Sequence, residues 1–246
     1  MIIPNPKDSV HKAWLLRILR EIADDSGLSA LLRFKGGTYA SIIGLIERFS
    51  VDLHFDLIDP GKVGFVRTLL EKIFKKLGLE IDQQSKNAPQ YFVKYKNTPG
   101  ERNTIRVDIT FPAPKNNEYE AIHLPDIDRI LYCETPETMF ANKMVALIER
   151  YEKHGSIAGR DIFDIHTFFI KGMRYRSEII EERTGLGIKE FFKKLIAFIE
   201  KKITQKIIDE ELNNLMPYEN FKKTRKILKQ EVLMFLKDEE ARLNKP

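Results

Sequence analysis

Apolar residues in the first half of the chain change between helical and strand-like spacing. They recur every three or four positions over residues 8–25 and 62–77, which predicts two amphipathic helices. Elsewhere in this half they alternate with polar residues or form short runs, which is typical of β-strands. The predicted strands are residues 31–34, 51–58, a piece near residue 80, 91–96, 104–111 and 120–124.

After Pro136 the apolar residues keep helical spacing to the end of the chain. We therefore predict an α+β protein, with a mixed sheet flanked by helices in residues 1–135 and a helical region in residues 136–246. The predicted helices of the second region are residues 137–153, 159–170, 187–203 and 218–240.

A double glycine follows the first predicted strand. Gly36 and Gly37 separate it from a helix predicted from Tyr39 to about Glu47, with Thr38 as the N-cap. Glycine lets the backbone approach a ligand closely, and the start of a helix offers free N–H groups to a phosphate. A tight turn between strand and helix is the simpler explanation of a glycine pair taken alone.

The strand predicted at residues 51–58 carries polar residues at alternate positions, two of them acidic. Asp52, His54 and Asp56 share one face, where residues two apart have Cα atoms about 6.5 to 7 Å from each other. Asp108, in a later strand, could add a carboxylate from a second segment. Mg²⁺ prefers such oxygen ligands. The alternative is two ordinary strands whose polar residues face solvent.

Composition narrows the classes of protein. The chain has 246 residues, 43% of them hydrophobic, and a net charge of +5, which suits a packed core and permits a polyanionic partner. Cys133 is the single cysteine, so an intrachain disulfide is excluded. The N-terminal residues lack a secretory apolar core, and no run reaches about 18 apolar residues. We therefore expect a soluble cytoplasmic protein without membrane spans.

The order of these motifs resembles the AbiEii/AbiGii toxin family, which has the nucleotidyltransferase fold. Segments KGGT at 35–38, RFSVDLHF at 48–55 and IRVDIT at 105–110 are similar to the family's K-G-G-T, R-F-S-x-D-L-D-F and IKVDIS segments. In the second half, residues 134–153 are similar to its P-E-E helix, and RDIFDI at 160–165 to its R-D-[LI]-[YF]-D-[LI] segment. The resemblance covers roughly residues 30–170.

The resemblance implies a metal-dependent nucleotidyltransferase, a component of a type IV toxin–antitoxin pair. Its substrate would be an NTP, its acceptor a hydroxyl of tRNA, another RNA or a protein, and its partner a cognate antitoxin. The implied catalytic residues are Asp52, Asp108, Lys143 and Asp161. The implied nucleotide-binding residues are Gly36, Gly37, Thr38, Arg48, Ser50 and Arg150, and the implied ligands of Mg²⁺ or Mn²⁺ are Asp52, His54 and Asp108.

Four charged residues of the second half are spaced to share helix faces. Lys143 and Arg150 are seven apart, while Asp161 and Asp164 are three apart. The resemblance implies that Lys143 and Arg150 reach the triphosphate and that Asp161 orients Lys143 or the nucleophile. In the alternative, these are solvated helix residues that form local salt bridges.

His54 departs from the family pattern, because it stands where the family has a second aspartate. Imidazole is a poor ligand for Mg²⁺ and a better one for Mn²⁺ or Zn²⁺. Asp56 cannot replace it simply, since it lies about 13 Å along the strand from Asp52. The alternative function is a catalytically silent protein of this fold that binds nucleotide, RNA or a partner protein.

Overall fold

The structure, a computed structural model, describes residues 1–244. The chain forms two compact units. Unit 1 comprises Met1–Ala113 and Glu118–Glu134, and unit 2 comprises Pro114–Asn117 together with the chain from Thr135 onward. None of the helices within residues 1–244 is long and apolar enough to span a bilayer.

Unit 1 contains a seven-stranded mixed sheet with the strand order β3-β4-β5-β2-β1-β7-β6. Its strands are β1 (Leu32–Lys35), β2 (Leu53–Leu57), β3 (Glu80–Gln84), β4 (Gln90–Lys94), β5 (Thr104–Thr110), β6 (Tyr119–Leu124) and β7 (Arg129–Glu134). Its helices are α1 (Asp8–Asp24), α2 (Ser26–Leu31), α3 (Gly36–Ile42) and α4 (Val63–Lys76), with a 3₁₀ helix at Pro60–Lys62.

One face of this sheet carries buried apolar residues and the other carries polar ones. Strand β2 pairs antiparallel with β1 and parallel with β5, which places Phe34 beside Phe55 and Phe55 beside Ile109 on a buried face. Helix α1 contacts β7 and helix α4 contacts β3. Because neighbouring residues of a strand point to opposite faces, Lys35, His54 and Asp108 form a row on the other side.

Unit 2 is helical. Its first helix is α5 (Pro136–His154), which is capped by the Thr135 side chain and ends at Gly155, whose φ is 66°. The others are α6 (Gly159–Ile170), α7 (Ser177–Thr184), α8 (Ile188–Lys202), α9 (Gln205–Leu212) and α10 (Tyr218–Leu243). Phe140 meets Phe168 edge to face, with ring centroids 5.2 Å apart, in the core of this unit.

Three details of the predicted elements are wrong near the glycine pair. Helix α3 begins at Gly36 and ends at Ile42, so Thr38 lies inside it and is not its N-cap. Strand β2 begins at Leu53, so Asp52 lies before the strand and not on its face. The Thr38 hydroxyl donates to the carbonyl of Asp52, and this bond ties the chain before β2 to α3.

Candidate active site

The glycine pair is required by the geometry of the turn between β1 and α3. Gly36 has a φ of +79°, a conformation that L residues with a side chain rarely adopt. Gly37 leaves no room for a side chain, since a Cβ there would lie 2.7 Å from Nη2 of Arg48 and 3.0 Å from Oγ of Ser50. A Cβ on Gly36 would lie 3.4 Å from Cβ of His54. The turn therefore packs directly on the segment that leads into β2.

Buried polar side chains next to this turn, some of them predicted to bind nucleotide, form hydrogen bonds that support it. Arg48 is 2% exposed, and its Nη1 donates to the carbonyl of Phe49 at 3.0 Å. The Ser50 hydroxyl lies 2.9 Å from that of Thr38, and the Ser41 hydroxyl donates to the carbonyl of Arg48 at 2.7 Å. These contacts fix the backbone before Asp52. Nucleotide contacts by Thr38, Arg48 and Ser50 stay predictions.

His54 and Asp108 lie side by side on the face of the sheet opposite Phe55. Nδ1 of His54 is 3.7 Å from Oδ2 of Asp108, and the side chains are 28% and 19% exposed. Asp108 also accepts from Nη2 of Arg106 at 2.5 Å and from Nε2 of Gln90 at 3.2 Å. Spacing places Arg106 on the face of Asp108, because it precedes Asp108 by two positions on the strand. Gln90 comes from the neighbouring strand β4 and had no signal in the sequence.

The imidazole of His54 is neutral at physiological pH. Burial lowers the pKa of His54 to about 4, although the carboxylates of Asp52 and Asp108 favour its charged form. A neutral imidazole keeps one nitrogen lone pair, so it can accept a hydrogen bond or bind a metal.

The predicted metal site is only partly assembled. Within residues 1–244, no three His, Cys, Asp or Glu side chains are arranged to hold a metal ion. His54 and Asp108 are adjacent, but Asp108 is bound to Arg106, and imidazole suits Mg²⁺ poorly. This donor set does not match the oxygen-rich octahedral shell of Mg²⁺. The metal requirement therefore stays a prediction based on the resemblance.

Asp56 has a structural place on the same face. It is fully buried, with Oδ1 2.6 Å from Nζ of Lys35 and Oδ2 2.9 Å from the Tyr119 hydroxyl, which donates to it. Because both oxygens have partners, the Asp56 carboxylate stabilises the start of the K-G-G-T segment. The sequence carried no signal for Tyr119, which comes from a strand 63 residues later.

Unit 2 brings its four predicted residues into one cluster between α5 and α6. Nζ of Lys143 lies 2.8 Å from Oδ1 of Asp161 and 2.8 Å from Oδ2 of Asp164. Nη1 of Arg150 lies 3.1 Å from Oδ2 of Asp161. Both aspartates are buried, whereas the side chains of Lys143 and Arg150 are 15% and 35% exposed. The aspartates are thus buried counter-ions rather than solvated helix residues.

The charge state of Asp161 follows from this cluster. Burial alone would raise the pKa of Asp161, but the nearby cations of Lys143 and Arg150 outweigh it and lower the pKa to about 2. The carboxylate is therefore ionised at neutral pH and holds the Lys143 ammonium in a fixed position.

Comparison with known proteins decides the family. The family model described as nucleotidyl transferase AbiEii toxin, type IV toxin–antitoxin system, matches residues 17–231. The chain belongs to the AbiEii nucleotidyltransferase toxin family. The resemblance found in residues 30–170 is therefore confirmed, and the AbiEii match extends it into α10.

Two solved structures share the fold of this AbiEii protein. A protein assigned as a nucleotidyltransferase from H. pylori is 18% identical, with a TM-score of 0.56 over 95% of this chain and 98% of that one. MenT4, a nucleotidyltransferase toxin from Mycobacterium tuberculosis, is 16% identical, with a TM-score of 0.51 over 96% of this chain and 87% of that one. The predicted fold class is confirmed. No curated protein matches the sequence.

Proposed function

We propose that this AbiEii family protein is an active nucleotidyltransferase that moves a nucleoside monophosphate from an NTP to a hydroxyl of an RNA, such as tRNA, or of a protein. The observation that carries the proposal is the row of Asp108 and His54 on the sheet face opposite Phe55, beside the turn at Gly36 and Gly37. Asp52 lies directly before β2 and so leads into that row, and its carboxylate favours the charged form of His54.

The proposed reaction is an in-line displacement at the α-phosphorus. The acceptor oxygen bonds to the α-phosphorus, the bond to the bridging oxygen of the β-phosphate breaks, and pyrophosphate leaves with that electron pair. Asp52 is the proposed acceptor of the hydroxyl proton, and Lys143 and Arg150 are the proposed cations for the phosphates. Whether the reaction requires a divalent ion is measured by comparing transfer in the presence of Mg²⁺, of Mn²⁺ and of a chelator.

Transfer of label from α-³²P-labelled NTPs to total cellular RNA or protein tests this function. Asp52→Ala should lower transfer at least about 100-fold, because a group acting in the transition state is lost. Asp82→Ala is the matched control, since Asp82 is exposed and forms only a surface pair with Lys94. Undiminished transfer by Asp52→Ala would reject the site.

A second candidate function is the catalytically silent one, favoured by His54 in the position of an aspartate and by the Arg106 contact of Asp108. His54→Asp distinguishes the two. A native protein that transfers no nucleotide with either metal, together with a variant that does, would establish the silent function. Activity of the native protein would exclude it.

A further inference from the structure

The candidate proton acceptor Asp52 lies on a short stretch outside the sheet. Strand β2 begins at Leu53, where its register with Val107 of β5 starts, so the ladder does not hold the carbonyls of Val51 and Asp52. Both carbonyls instead accept hydrogen bonds from side chains of helices. Nε2 of His11 lies 2.9 Å from the Val51 carbonyl, and the Thr38 hydroxyl donates to that of Asp52.

His11 is held rigidly where helix α1 passes this stretch. It is 1% exposed, and its ring meets Phe49 edge to face at a centroid distance of 5.9 Å. Tyr95 lies against its other side with ring centroids 5.8 Å apart, and the Tyr95 hydroxyl is 2.7 Å from Nδ1. Packing on two sides and hydrogen bonds at both nitrogens leave the ring one orientation.

The partners of His11 also fix which nitrogen carries the proton. A carbonyl only accepts, so Nε2 must donate to Val51. Burial lowers the pKa of His11 to about 4, so the ring is neutral and Nδ1 accepts from the Tyr95 hydroxyl. That hydroxyl is also 2.7 Å from the carbonyl of Arg102, so one proton serves two acceptors. The bond to Val51 is therefore the better defined of the two.

We propose that His11 is a positioning residue for nucleotidyl transfer, which holds the Val51 carbonyl and thereby places the Asp52 carboxylate. This inference rests on the proposed function. His11 precedes residue 17, where the family match begins, so the match gives it no role. A reacting group displaced by about 1 Å can cost about 100-fold in rate, so a single lost anchor is measurable.

Two amide variants test the bond to Val51. His11→Gln can place its Nε2 donor near the native position, whereas His11→Asn is one methylene too short to reach the Val51 carbonyl. We expect kcat of His11→Asn to fall about 10- to 100-fold with little change in KM for NTP, and that of His11→Gln to stay within about threefold. His123→Asn, on the exposed part of β6, is the control and should match the native protein.

Tyr95→Phe removes the contact at Nδ1 and leaves the bond to Val51, so its kcat should stay within about threefold of native. Amide hydrogen exchange of residues 49–53 gives a readout independent of activity, and it should quicken in His11→Asn but not in Tyr95→Phe or His123→Asn. Melting temperatures verify that every variant folds.

Unchanged exchange or unchanged kcat in folded His11→Asn would overturn the inference, as would equal losses in the Gln and Asn variants. An equal loss in Tyr95→Phe would also overturn it, because the ring's packing and not its donor would then matter. An inactive native protein would instead reject the proposed function, while the exchange data would still decide whether His11 anchors the stretch.

Discussion

Single residues at the turn show how little freedom the candidate site has. Gly37 faces Arg48 and Ser50 at distances that exclude a Cβ, and the buried Arg48 guanidinium has no solvent to move into. The glycine pair was predicted to approach a ligand, but the structure gives each glycine a structural reason of its own. The requirement for Gly37 could not be predicted from sequence, because it depends on a side chain 11 positions later.

Gly37→Ala should therefore destabilise the protein by about 1–3 kcal/mol, the usual cost of overpacking a fixed core. Urea unfolding measures the change. Gly64→Ala is the matched control, since Gly64 lies in the first turn of α4 with nothing within 4 Å of a Cβ. It should leave stability unchanged or raise it by up to about 1 kcal/mol. Equal stability of the Gly37→Ala and Gly64→Ala proteins would contradict the packing described.

At the scale of elements, the ion-pair cluster between α5 and α6 makes the free energy of unfolding depend on pH at acidic values. The pKa of Asp161 is lowered from its ordinary value of 3.8 to about 2, so its stabilising contribution is full above about pH 4. It is lost as pH falls from about 4 through about 2, because the carboxylate is then protonated in the folded state as well.

Asp161→Asn should be less stable than the native protein at pH 7 by about 1.5–3 kcal/mol, the range for hydrogen bonds to charged groups. The difference between the two proteins should shrink as pH falls from 4 towards 2. Thermal unfolding across this range measures it, with the exposed Asp238→Asn as control. A difference that stays constant with pH would show that Asp161 is not ionised as described.

Most elements could be predicted from spacing, and each missed element has its own physical reason. Strand β7 was missed because its outward residues Ile130 and Tyr132 are apolar, 66% and 49% exposed, which hides the alternation. Helix α2 was missed because Ser26 and Gly27 suggest a stop, yet Asp25 caps a new helix by accepting from the amide of Leu28. The other missed elements, α7 and α9, are short, at 8 residues each.

For the candidate site, too, spacing predicted some of the residues but not the partners that they bind. Alternation placed His54 and Asp108 on the polar faces of their strands, and the structure pairs them side by side. Spacing grouped Lys143 with Arg150 and Asp161 with Asp164. The bond of Gln90 to Asp108 is a contact between two strands and was not predicted. Arg106 shares the strand face of Asp108, but its bond to that carboxylate was not predicted either. Asp52 was placed on the strand because its stretch continues the alternation of β2.

For the whole molecule, the AbiEii match spans both units, and the toxin description leads to a cellular prediction. Induced expression of the chain in a bacterial host should halt growth, because an NTP-consuming transfer would modify an essential acceptor. Asp52→Ala should restore growth at equal protein level, as counted by viable colonies and immunoblot. Equal growth arrest by both proteins would separate toxicity from the proposed chemistry. We also propose a cognate antitoxin as partner, which co-expression with candidate proteins would reveal.

The most direct test of nucleotidyl transfer follows the α- and γ-phosphates of the NTP in parallel. Parallel reactions with α-³²P- and γ-³²P-labelled NTP report which bond breaks. Nucleotidyl transfer predicts α-label on the acceptor and γ-label in pyrophosphate, in equal amounts, with both absent in Asp52→Ala. Label from the γ-phosphate on the acceptor, or γ-label released as free phosphate with none transferred, would contradict a nucleotidyltransferase.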